Sequence, residues 1–266
     1  MTKQRMFELQ AKYPVKAEFR SAMEAEAMAE NPSPVAQESV QLHCAVGDLS
    51  YTERVRAALH TVKVTDALGD GWNPDHLVQY FDGHLPRFQA HIDFWKRMEG
   101  RGEIPSKVYD FGTPFPFSSW YWALNYGSRI VYGCLGKFSD VSEDVKYQEI
   151  NLCRRPDLSP ADLVIATEVL EHLPCNLYDV VDWLRSLVNP GGHLLLSFPL
   201  GGLRAEGYER DWPEKYDEAS AHIREFTRDT SESFISHIGM EIVEDAFVFT
   251  QAYGGTIRNV LMRRPA

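Results

Sequence analysis

The chain has 266 residues and a formal net charge of −11. That acidic balance disfavours broad electrostatic binding to DNA or RNA, leaving only a local basic patch for it, and no apolar run approaches the length of a membrane span. The N-terminus lacks the apolar core of a signal peptide. Cys44, Cys134, Cys153 and Cys175 have no paired short spacing, so they read as reduced thiols of a cytoplasmic protein without a zinc motif.

In chain order, residues 16–30 are rich in Ala, Glu and Met and predict a helix ended by Asn31-Pro32-Ser33-Pro34. Three roles suit it: an arm, a lid or a homodimer contact. Ser50-Tyr51-Thr52-Glu53 fits a capping box, with Val55, Leu59 and Val62 following at helical spacing. After the break at Gly69-Asp70-Gly71, Leu85, Phe88, Ile92 and Trp95 mark a second amphipathic helix ending near Gly100. Trp72, Tyr80, Phe81, Phe88, Phe94 and Trp95 suit either plain core or a pocket wall. Residues 1–100 thus form a helical N-terminal extension, and residues 101–266 a second unit of alternating strands and helices.

That unit opens with a strand at Lys107-Val-Tyr-Asp-Phe-Gly112, followed by the stiff stretch Thr113-Pro-Phe-Pro-Phe117 and a helix from Ser118 to Tyr126. Arg129–Cys134 and Lys146–Ile150 read as the second and third strands. Leu163–Ala166 and Leu194–Phe198 are short apolar runs suited to strands buried on both faces. Between them Leu177, Val180, Val181, Leu184, Leu187 and Val188 recur at helical spacing, and Pro190-Gly191-Gly192 stops that helix. The result is one right-handed β-α-β crossover. Gly201–Ala221 is irregular and contains Tyr208, Trp212 and Tyr216. A helix follows with Thr227 as N-cap and Gly239 as its terminal glycine, and then two strands, Met240–Gln251 and Thr256–Arg263.

Thr167-Glu-Val-Leu-Glu-His-Leu-Pro174, followed by Leu184-Arg-Ser-Leu-Val-Asn-Pro-Gly-Gly-His-Leu-Leu-Leu-Ser-Phe-Pro199, resembles the Rossmann-like (class I) S-adenosylmethionine-dependent methyltransferases. It is most similar to the subgroup acting on sugars, quinones and other small molecules. The resemblance implies an α/β fold: a mostly parallel seven-stranded sheet in the order 3-2-1-4-5-7-6, flanked by helices. It implies S-adenosylmethionine as cofactor and a small-molecule acceptor, preferably a hydroxyl on a sugar or another small metabolite. Two other readings stay open. One is a non-catalytic binding protein of the same fold with a degraded cofactor loop. The other is a nucleotide-dependent oxidoreductase, which the chain disfavours by lacking Gly-x-Gly-x-x-Gly after any strand.

The resemblance also assigns residues. Asp110, Gly112, Leu135, Glu149, Asn151, Thr167, Glu168 and Val169 are the expected cofactor contacts. Pro114 and Pro116 stand at the next two glycine positions of the family's loop, and Leu135 where an acid usually grips the ribose, with Asp140 the nearest acid. Two lost backbone donors predict weakened cofactor binding. His222 is the expected general base, with Arg224, Tyr208 and Trp212 on the substrate side and His172 a second catalytic candidate. Glu168, Glu171 and His172 have the residue types of a divalent-cation site in similar quinone methyltransferases, but many relatives with Glu-His-Leu bind no metal, and none is expected here.

Overall fold

In the computed structural model, which describes residues 49–59, 74–134, 140–200, 224, 226–250 and 255–266, a sheet forms the centre. Three helices lead into it: α1 (Leu49–Leu59), α2 (Pro74–Gly83) and α3 (Leu85–Gly100). Then follow β1 (Lys107–Phe111), α4 (Trp120–Tyr126), β2 (Arg129–Gly133), β3 (Val145–Tyr147), β4 (Ala161–Ala166), α5 (Leu177–Ser186), β5 (Val188–Leu200), α6 (Arg228–Ile238), β6 (Glu241–Thr250) and β7 (Gly255–Arg263). Among the described residues the seven strands run in the order 3-2-1-4-5-7-6. β1 lies parallel to β4 with Val108 opposite Leu163, and β7 runs antiparallel to both β5 and β6.

The central strands β1, β4 and β5 are buried on both faces because their runs are mostly apolar. One core layer joins Tyr51, Phe88 and Trp95 of α1 and α3 to Val108, Leu163, Leu195 and Leu261 of the strands. The other packs Leu177, Val180, Val181 and Leu184 of α5 against Val164, Leu194 and Leu196. Each such side chain contributes roughly 1.5–3 kcal/mol by leaving water. Thr227 caps α6 by accepting from Thr230 N, and Thr230 Oγ1 accepts from Thr227 N in return. Gly239 closes the helix in the left-handed conformation.

Several local expectations are corrected. α1 already includes Leu49, so Ser50 stands inside the helix rather than at its cap. The predicted helix over 16–30, Cys44, Val62 and Trp72 lie outside the described residues. A helix absent from the sequence reading, α2, begins with Pro74 at its first position, where proline's missing N–H costs nothing. α5 ends at Ser186, so Pro190-Gly191-Gly192 does not stop it. That tripeptide forms an irregularity inside β5, where the pairing jumps from Ala161↔Val188 to Leu163↔His193. A Cβ at Gly192 would lie 2.7 Å from Asp162 O, so only glycine lets the strands approach there. β3 is three residues long and stops at Tyr147, which leaves Glu149 and Asn151 beyond it.

The thiol expectation is also corrected. Cys153 and Cys175 are joined as a disulfide, tying the segment after β3 to the segment before α5, while Cys134 is a free thiol. Sequence spacing concealed the pair because its members stand 22 positions apart. With it goes the cysteine argument for a cytoplasmic location. The paired change Cys153→Ser with Cys175→Ser is expected to cost about 3 kcal/mol, the chain-entropy value for a loop of this length. Urea unfolding of oxidised and reduced protein checks this, and coincident midpoints would refute it.

Candidate active site

The carboxyl ends of β1 and β4 meet at a small cleft lined by Tyr80, Arg87, Phe88, Asp110, Gly112, Thr113, Phe117, Ser118 and Thr167. Crevices of this kind outside strand ends are where open α/β sheets bind ligands. The chain turns out of β1 at Gly112, whose φ is +81°. A Cβ there would sit 2.5 Å from Val169 Cβ, so Val169 presses the β4 turn directly onto the β1 turn. Gly112 N donates to Gly133 O at 2.7 Å, which locks the ends of β1 and β2 together.

Around this turn the charge is buried. Asp110 accepts a hydrogen bond from Ser119 Oγ at 2.5 Å. Burial raises its carboxyl to about 7, opposed by Ser119 and by the positive charge of Arg87. Glu168 follows β4 with a positive φ of 54°, unusual for a residue with a side chain and typical of functional turns. Ser197 holds it twice: Glu168 N donates to Ser197 Oγ at 2.8 Å, and that hydroxyl donates to Glu168 Oε1 at 2.7 Å. Its other oxygen lies 3.6 Å from Arg87 Nη1. Burial raises the Glu168 carboxyl, against the Arg87 charge. Glu171 is fully buried, and its carboxyl is pushed well above the usual range, first by burial and then by the charge of Glu168. Of the two, Glu171 is the more strongly raised, because Glu168 alone lies beside Arg87 and Ser197.

Arg87, on α3, is the residue the sequence reading missed. Its side chain is 2% exposed, lies 4.6 Å over the Phe88 ring and donates from Nη2 to Tyr80 OH at 3.1 Å. A signal existed: His84, Arg87 and His91 recur at helical spacing on the same face as Phe88, placing polar groups on a buried stripe. The aromatic residues divide between both earlier readings. Tyr80 and Phe88 line the cleft, whereas Phe81, Phe94 and Trp95 are core.

Of the other predicted residues, Thr167 is half-buried and lines the cleft, and Val169 acts by packing on Gly112. Glu149 is exposed. Asn151 spends its side-chain oxygen on Cys153 N, capping a short 3-10 turn, and Asp140 binds Tyr147 N and Lys146 Nζ. His172 is half-buried with Nε2 3.7 Å from Glu171 Oε1. Arg224 donates from Nε to Leu173 O at 3.0 Å and from Nη2 to Cys175 O at 2.7 Å, so its guanidinium clamps the disulfide-bearing segment. Leu135, Tyr208, Trp212 and His222 lie outside the described residues. Among the described residues no three His, Cys, Asp or Glu side chains gather to hold a metal ion, and no helix is long and apolar enough to cross a membrane.

Residues 87–245, more than half the chain, match the family model described as a methyltransferase domain. The chain belongs to the methyltransferase domain family. It is an S-adenosylmethionine-dependent methyltransferase. No relative among curated proteins matches. Among solved structures, it is similar in fold to magnesium protoporphyrin IX methyltransferase (ChlM) from Synechocystis PCC 6803 with bound S-adenosylmethionine. The identity is 14% and the TM-score 0.51, over 83% of this chain and 100% of that one. It is similar too to the Burkholderia thailandensis 1,6-didemethyltoxoflavin-N1-methyltransferase, at 14% identity and a TM-score of 0.51, over 84% of this chain and 92% of that one.

The residues present fit this cofactor. A buried guanidinium beside two buried carboxylates matches a ligand that carries a carboxylate, an ammonium and a sulfonium. Because Asp110 must be ionised to attract a cation, affinity for S-adenosylmethionine is expected to climb as pH rises from 6 through 8 and to be flat in Asp110→Asn. The linkage to stability has the opposite sense. Asp110's contribution is fully present below the ordinary carboxylate range and is lost as pH rises through about 7. Calorimetric titrations across that window, with the variant alongside, check the first statement. A pH-independent affinity in the parent protein would refute it.

Proposed function

We propose that this methyltransferase acts on a small-molecule acceptor, with a hydroxyl on a sugar or another small metabolite as the preferred methylation site. The observation that carries the reading is the buried Arg87, Asp110 and Glu168 set at the meeting point of β1 and β4. S-adenosylmethionine, when bound, supplies a methyl group on a sulfonium. The protein's own part is to hold the two reactants in line and dry, which is a proximity effect. Arg87 would hold the cofactor's carboxylate, and Asp110 its ammonium. Thr167 and the hydroxyls of Thr113 and Ser118 line the same cleft. Both structurally similar proteins named above act, by their names, on small molecules, and one is an N-methyltransferase, so the acceptor atom is chosen here on the chain's own residues.

His222 is proposed as the base that takes the acceptor's proton, with Arg224, Tyr208 and Trp212 toward the acceptor side. Arg224 stands where the chain rejoins the sheet. Its N–H donates to Glu171 O at 3.2 Å, and Phe226 forms a parallel bridge with Leu200 at the end of β5. Titration with S-adenosylmethionine, and with a nicotinamide cofactor as control, tests the cofactor reading. Heat with the first and none with the second is expected, and silence with millimolar S-adenosylmethionine would overturn it. Methyl transfer to a panel of small hydroxylated compounds then tests the acceptor. His222→Ala should lower turnover about 10²-fold with cofactor affinity unchanged. Near-normal turnover in that variant would point to an acceptor already nucleophilic, such as a carboxylate or thiolate.

A further inference from the structure

The loop between β1 and α4 contains two prolines where the family's loop has glycines, yet side chains from α1 and α3 hold it. Two aromatic side chains plug it into the core. Phe115 meets Trp120 edge-on at 5.5 Å, and Phe117 stacks on Phe88 at 4.9 Å and on Phe81 at 5.7 Å. Side chains from outside the sheet then take the loop's carbonyls. Tyr51 of α1 donates its hydroxyl to Phe117 O at 2.5 Å, and Trp95 of α3 donates its indole N–H to Ser118 O at 3.1 Å. The Ser118 hydroxyl meets His91 Nδ1 at 3.2 Å, while His91 Nε2 meets Asn259 Oδ1 of β7 at 2.9 Å. Since an amide oxygen only accepts, His91 carries its proton on Nε2, and Ser118 therefore donates to Nδ1. His91 is fully buried, and burial lowers its pKa to about 3, which keeps the ring neutral and this pattern fixed.

We infer that Tyr51 and Trp95 are positioning residues for the cofactor: they clamp Phe117 and Ser118, so that helices α1 and α3 shape the cofactor loop from outside the sheet. Where glycines would leave the backbone free, the prolines fix φ, and donors from helices that precede the sheet hold the carbonyls of this stiffened loop. The loop's next residue, Ser119, is the one that holds Asp110, so the clamp reaches the cleft through a single peptide. The inference rests on the cofactor reading above, because it is the cofactor that the loop would meet.

Tyr51→Phe removes one oxygen and keeps the ring that packs edge-on against Tyr121. Trp95→Phe removes the other donor. Two measurements separate positioning from general stability. Equilibrium titration with S-adenosylhomocysteine should give a Kd raised about tenfold in Tyr51→Phe, with the KM for S-adenosylmethionine raised equally and kcat within twofold. Hydrogen exchange without ligand should quicken over residues 113–119 in both variants and stay unchanged across β4 and β5. A Kd within twofold of the parent, together with unchanged exchange over 113–119, would overturn the inference, as would a loss confined to kcat. The exchange measurement needs no ligand, so it judges the clamp even if the parent protein takes up no S-adenosylhomocysteine, a result that would sink the cofactor reading instead.

Discussion

Arg87→Met is expected to weaken S-adenosylmethionine binding by about 10²-fold, the value of a charge-assisted contact in a desolvated site. The same change should cost on the order of 3–5 kcal/mol of stability, because it leaves Glu168 and Asp110 buried beside an apolar chain. The two effects have different pH signatures. Arg87 holds the carboxyls of both Asp110 and Glu168 below where burial alone would put them. Without it both retain protons to higher pH, so the folded state must give up more as pH rises, and the stability loss should be larger at pH 8 than at pH 6. Denaturant unfolding at the two pH values, with titration calorimetry on the folded variant, measures both. Parent-like cofactor affinity in Arg87→Met would remove Arg87 from the site. A pH-independent stability loss would mean that it acts by packing on Phe88 and not by charge.

Gly112→Ala should produce the other large effect. Its φ of +81° costs a residue with a Cβ about 1–3 kcal/mol, and the new methyl would sit 2.5 Å from Val169 Cβ, adding a similar amount of overpacking. Together these predict a loss of roughly 2–6 kcal/mol and no measurable cofactor binding, since relief requires the β1 and β4 turns to separate. The double variant Gly112→Ala, Val169→Ala isolates the clash. It should recover the packing part and leave the backbone part, a coupling readable by a double-mutant cycle. If Gly112→Ala unfolds at the parent midpoint, the tight contact between the turns is not what holds the cleft open.

What the amino-acid sequence determined alone was the part of the molecule written in local periodicity. The apolar runs Leu163–Ala166 and Leu194–Phe198, the helical spacing from Leu177 to Leu184 and the Thr227 and Gly239 caps all depend on neighbours within a few residues, and each stands where its pattern places it, whereas Val188, read with that helix, opens β5. The strand order was legible only through the resemblance around Thr167-Glu-Val-Leu-Glu-His-Leu, because nothing local says which strand lies beside which. The tertiary structure decided the rest. Cys153 and Cys175 meet because the segments that follow β3 and β4 come together, a proximity that spacing does not encode. Asn151 turned inward to cap its own backbone because β3 stops three residues earlier than its apolar pattern suggested. Arg87 became part of the site because the start of α3 reaches the cleft at the ends of β1 and β4 and buries a guanidinium beside Glu168, in the lining it shares with Asp110. The prolines at 114 and 116 read as losses in the sequence, since the donors that hold their loop, Tyr51 and Trp95, are 66 and 23 residues from the carbonyls they bind. Contacts of that range form only when the chain has closed on itself, so their chemistry is a property of the fold and not of any segment.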